Sequence, residues 1–147
     1  MTPSNFPSQR VTMITLAVAD LAISRQFYGA LGFTEADGGN DMIAFYKLSG
    51  QFFALYSRDA LAQDMGLPIS GRTTGATTLA TNYPTEAEVD AAFARALEAG
   101  AVAIAEPAKA PWGGYSALIA DPDGHMWEYA MNPFWSYDAD GQVMGAP

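Results

Sequence analysis

The order of structural signals in the first half of the chain is repeated in the second half. Residues 11–20, VTMITLAVAD, are rich in β-branched side chains and read as a strand. Alternation divides them into a more apolar face of Thr12, Ile14, Leu16 and Val18, suited to pack against a helix, and a second face of Val11, Met13, Thr15 and Ala17. Asp20 offers an N-cap carboxylate. In LAISRQFYGALGF, Leu21, Ser24, Phe27, Tyr28 and Leu31 then recur at helical spacing, and Gly32 stops the helix. Short strands are predicted at 33–36, 42–48 and 52–57, separated by the turn sequences DGGND and SGQ. The second half opens with a strand at 74–82. TEAE at 85–88 is a capping box, and Val89, Ala92, Phe93, Ala96 and Leu97 form one face of a helix that ends at Gly100. Strands follow at 101–106, 114–120 and 126–131. The helix ends FYGALGF and FARALEAGA are themselves alike. Internal repetition constrains a fold strongly. It predicts an α+β architecture of two strand–helix–strand–strand–strand halves, with one mixed sheet system, helices outside and a cavity inside.

At 147 residues the chain is one domain's worth. The halves occupy residues 9–58 and 73–132, and a linker at 59–72 has room for a short helix near 59–65. In the tail, 133–147, Phe134, Trp135 and Tyr137 are too apolar for free chain and are expected to dock on the domain or on a second subunit. Residues 141–147 are expected to be loose. No apolar run approaches the ~20 residues of a membrane span, and the N-terminal residues do not read as a signal peptide, so a cytoplasmic location is expected. Sixteen acidic residues against seven basic ones give a net charge of −9, which disfavours nucleic acid and anionic membranes as partners and favours a cationic small molecule. The absence of cysteine excludes disulfides, thiolate zinc sites and cysteine nucleophiles. There is no phosphate-binding loop and no nucleophile elbow.

The run DPDGHMWEY, 121–129, holds the only histidine, His125, and Glu128 three positions later. Residues three apart on a strand face opposite ways, so the two do not converge on one ion. His125 is read as a turn residue where DPDG reverses the chain. Together with VADLAISRQFYGALGF and the repeated element order, this run resembles the vicinal oxygen chelate superfamily, which includes glyoxalases, bleomycin-resistance proteins, extradiol dioxygenases and fosfomycin-resistance enzymes. The resemblance covers residues 9–132 or so. It implies two βαβββ modules curled around a central pocket, often completed in a homodimer, and metal ligands on the inward faces of particular strands.

Carried over by position, those ligand sites fall on Met13, Ala54, Ala76 and Glu128. Only Glu128 has a ligand-type side chain. A zinc, iron or nickel ion needs about three good protein donors, so no metal cofactor is expected. The expected pocket is aromatic with one carboxylate, lined by Met13, Thr15, Phe53, Trp112, Tyr115 and Glu128. Trp112 lies in the turn PWGG and would cover the mouth. Two functions follow as expectations. One is metal-independent binding of a small organic ligand, cationic or aromatic, in the manner of the bleomycin-resistance members. The other is a glyoxalase-like lyase or isomerase that uses Glu128 as acid/base or as a metal ligand.

Overall fold

The computed structural model describes residues 9–69 and 77–145. In the first half, strand β1 (Met13–Val18) leads into helix α1 (Leu21–Ala30). The Asp20 carboxylate accepts from the Ala22 and Ile23 amides at 3.0 and 3.2 Å, satisfying donors that the first helical turn leaves open. At the other end Gly32 has φ 95°, a conformation that only glycine adopts without strain. There the Gly32 amide donates to the Gly29 carbonyl and the Phe33 amide to the Tyr28 carbonyl, a Schellman ending. Strands β2 (Glu35–Ala36), β3 (Ile43–Leu48) and β4 (Gln51–Ser57) follow. They assemble in the order β1-β4-β3-β2, with β1 parallel to β4 and the other pairs antiparallel.

A short helix, α2 (Arg58–Met65), starts where β4 ends. The second half repeats the plan with β5 (Thr78–Asn82), α3 (Glu86–Glu98), β6 (Val102–Lys109), β7 (Tyr115–Ala120) and β8 (Met126–Met131), ordered β5-β8-β7-β6. The capping box is present in both directions between Thr85 and Glu88. Helix α3 ends by the same pair of bonds as α1, Gly100 to Leu97 and Ala101 to Ala96. The first residues of the strand expected at 74–82, and the end of the linker, lie outside the described residues.

Each expected half forms its own four-stranded mixed sheet, and β1 and β5 do not pair with each other. Two features differ from the sequence-based expectations. The sixth strand runs to Lys109, past the expected end at 106, by absorbing two register shifts against β7. The described part of the tail, to residue 145, is not loose. Strands β9 (Ser136–Tyr137) and β10 (Val143–Gly145) form a hairpin, and Gln142 Nε2 donates to the Ser49 carbonyl at 2.8 Å in the β3–β4 turn.

The core lies on the helix-facing sides of both sheets. The Tyr28 ring has centroids of Phe27, Phe33, Phe53 and Trp127 at 5.0 to 6.1 Å, mostly tilted or edge-on, the favoured arrangement for aromatic pairs. Trp127 belongs to the second module and the other rings to the first, so one aromatic cluster spans both. A polar network reinforces it. Asp121, 2 % exposed, accepts from the Tyr28 hydroxyl at 2.6 Å and from the Asp123 and His125 amides at 2.9 and 2.8 Å. Trp127 Nε1 donates to the same hydroxyl at 3.0 Å. Asp123 accepts from the Ala19 amide and the Ser24 hydroxyl, and His125 Nε2 lies 2.8 Å from the Ala17 carbonyl. The turn at 121–125 thereby latches the second module onto β1 and α1. Burial, then the Asp121 carboxylate, raise the Tyr28 hydroxyl well above the usual tyrosine range. No helix among the described residues is long and apolar enough to cross a membrane.

Candidate functional site

Strand parity decides which side chains share a face. In the first sheet, Thr15 pairs with Ala54 and Met13 with Phe52. These residues point away from α1, whereas Leu16, Val18, Phe53 and Leu55 belong to the core beneath it. Ala54 is fully buried yet outside that core cluster, as its position on the other face requires. In the second sheet Glu128 pairs with Ala80 on β5 and with Leu118 on β7. It is half-buried on the face averse to α3, while its strand neighbours Trp127 and Tyr129 pack into the core. No hydrogen bond or ion pair holds the Glu128 carboxylate among the described residues.

The residues singled out in the sequence thus separate into sets. Met13, Thr15 and Ala54 share one face of the first sheet, and Glu128 holds the corresponding face of the second. Phe53, 1 % exposed, is on the opposite side of β4 and packs on Tyr28, Phe33 and Trp127. Tyr115 also faces the helix side, where its hydroxyl donates to Asp90 of α3 at 2.6 Å. That hydrogen bond, with some desolvation, pushes the Tyr115 hydroxyl up to about 12. Trp112 is exposed in the β6–β7 turn, with its ring so close over Gly114 that a Cβ there would collide with it. Ala76 lies outside the described residues.

This donor set does not suit a metal ion. Met13 offers a thioether, Ala54 a methyl group and Glu128 a single carboxylate, against the three or more imidazole, thiolate or carboxylate donors of a stable zinc or iron site. No group of three or more His, Cys, Asp or Glu placed to hold a metal occurs among the described residues.

Sequence reasoning missed two hollows that draw residues from both modules. A cleft of about 880 Å³ runs along the seam between β1 and β5 and is bordered by the β9–β10 hairpin. A smaller one of about 380 Å³ lies beside α3 and shares Phe33, Thr81, Tyr83, Glu88 and Trp127 with it. The Tyr83 and Tyr129 rings lie tilted to each other with centroids 6.1 Å apart in the smaller cleft, and burial pushes the Tyr129 hydroxyl up to about 12. Neither strand alternation nor helical periodicity marks such a seam, because it forms where two separately patterned sheets meet.

Comparison with known proteins gives a consistent picture. The family model described as Glyoxalase/Bleomycin resistance protein/Dioxygenase superfamily matches residues 10–129. A glyoxalase-related enzyme from Fulvimarina pelagi is 37% identical, and its structure superposes with a TM-score of 0.87 over 95% of this chain and 100% of that one. An uncharacterized protein of Mycobacterium bovis is 31% identical over 118 residues, 76% of each chain. A lactoylglutathione lyase from Agrobacterium tumefaciens, 20% identical with a TM-score of 0.68 over 90% of this chain and 100% of that one, shares the fold.

Proposed function

This chain belongs to the Glyoxalase/Bleomycin resistance protein/Dioxygenase superfamily, and from that premise we propose that it is a metal-independent small-molecule-binding protein of the family. The observation that carries the reading is the side-chain chemistry at the family's ligand positions. Met13, Ala54 and Ala76 supply no imidazole or carboxylate, and Glu128 alone cannot hold an ion. What remains is a largely apolar pair of faces with one carboxylate, suited to an organic ligand that is aromatic, cationic or both. The net charge of −9 attracts such a ligand over distance. Met13 and Phe52 on the first sheet and Val102 on the second remain exposed, apolar surface that a second copy in a cytoplasmic homodimer would cover.

Native mass spectrometry of the freshly purified chain tests this reading, before and after incubation with zinc, nickel and ferrous ions. The expected species is a dimer without stoichiometric metal under every condition. One divalent ion per subunit overturns the proposal.

A second reading, a lyase or isomerase with Glu128 as acid/base, draws support from the freedom of that carboxylate from any hydrogen bond or ion pair among the described residues. In that case Glu128→Gln lowers turnover by about 10²-fold or more while binding of a neutral aromatic ligand survives. Equal turnover by the variant removes this reading.

A further inference from the structure

The seam cleft adjoins the Glu128 face through Thr78, Ala80 and Asn82 of β5, but Glu128 does not line it, and most of its lining has a chemistry of its own. Phe53 and Trp127 come from the aromatic cluster, one from each module, and Tyr137 comes from the C-terminal hairpin. At about 880 Å³ the cleft lies within the usual range for small-molecule sites. Two observations point to an occupant. The Tyr137 hydroxyl is buried without a hydrogen-bond partner, an arrangement that native proteins rarely leave uncompensated. The charged side chains among the described lining residues are Glu88, Asp138 and Asp140, with no lysine or arginine. Asp138 is oriented by accepting from the Asp140 and Gln142 amides, both at 2.9 Å, whereas the Asp140 side chain has no such bond among the described residues.

We propose that this seam cleft is a second ligand site, taking a flat aromatic molecule that carries a protonated amine. The ring packs against the half-buried rings of Phe33, Tyr83 and Tyr137, where a nearby cation is also favoured by the ring faces. A polar atom of the ligand satisfies the Tyr137 hydroxyl, and the ammonium lies toward Asp138 and Asp140. The β9–β10 hairpin forms the outer wall, held in place by Gln142 on Ser49. The proposal makes no use of the Glu128 carboxylate, which does not line the cleft, so either site can fail without the other.

The test uses the full chain and three probes sharing one ring system: 1-naphthylmethylammonium, neutral 1-naphthylmethanol and anionic 1-naphthoate. Calorimetric titration measures affinity, and amide NMR shifts locate the probe. The ammonium is expected to bind about tenfold more tightly than the naphthoate, as a charge facing carboxylates in a partly desolvated site should. The largest shifts should centre on Thr81, Tyr83 and residues 137–142. Tyr137→Phe keeps the ring and is expected to weaken ammonium binding about fivefold, the worth of one hydrogen bond. Asp140→Asn, at an exposed position, should weaken the ammonium and leave the alcohol unchanged, and it serves should Tyr137→Phe not fold. Binding of naphthoate at least as tight as the ammonium overturns the proposal. So do shifts centred on Met13, Thr15 and Glu128, the absence of binding by all three probes, or Tyr137→Phe and Asp140→Asn variants that bind like the native chain.

Discussion

Two hairpin turns hold matching places in the two modules, one between β3 and β4 and the other between β7 and β8, yet they are anchored very differently. The first, at Ser49 and Gly50, is at the surface, and the tail reaches it through Gln142. The second carries Asp121, buried and bonded to Tyr28, with Asp123 and His125 tied to Ala19, Ser24 and Ala17 of the other module. Repetition of a fold therefore does not repeat its fastenings. One turn became a structural joint, and the other stayed a surface loop to which the tail could attach.

Asp121→Ala should show the difference most strongly. It removes the acceptor of one buried hydroxyl and two backbone amides, and the expected loss is about 3–5 kcal/mol in chemical denaturation. A loss below about 1 kcal/mol would place Asp121 outside the joint. Alkaline pH acts on the same side of the molecule. The Tyr129 hydroxyl has an ordinary value of 10.0 and is raised to about 12 in the fold. Between those values the unfolded chain gives up the proton that the folded chain keeps, so stability falls as pH rises through that window and is unaffected below it. The loss on that account is on the order of 2 kcal/mol. Tyr129→Phe should flatten part of the decline in denaturation midpoints measured across the window, and an unchanged slope would remove Tyr129 as its source.

His125→Ala deletes one bond to the Ala17 carbonyl and should cost about 1 kcal/mol, with metal content unchanged by mass spectrometry. Loss of a bound ion on this substitution would reinstate His125 as a ligand. Gln142→Ala, at an exposed contact, should cost no more than about 0.5 kcal/mol globally while raising amide exchange in the tail hairpin. Unaltered exchange there would show that the hairpin is held by other contacts.

Much of this architecture was readable from the residues. The alternation in VTMITLAVAD separated the Leu16 face from the Met13 face correctly, because burial on one side of a sheet writes a period of two into the chain. The TEAE box and the glycines at 32 and 100 marked helix ends through local backbone chemistry. Other features depended on distant partners. Asp121 looked like one acid of a DPDG turn, and nothing nearby in sequence says that Tyr28 bonds to it across the molecule. Phe53 was assigned to a pocket on its aromatic character; its parity with Leu55 places it under α1, where it lines the seam cleft and not the Met13 face. Tyr137 was read only as too apolar for free chain. Its part in the seam cleft arises from the hairpin's tertiary position, which no periodicity encodes.

Each four-stranded sheet is completed entirely by strands of its own half, with β1 and β5 left as facing edges. That separation matters for heredity as well as for shape. An insertion or deletion in an outer strand shifts pairings only within one half, and the other ladder keeps its alignment. The two-residue β2 and the eight-residue, twice-shifted β6 show how far the outer strands of the two halves differ within one plan. The strand ladders are thus separate, while the core and the Asp121 joint are shared between the halves.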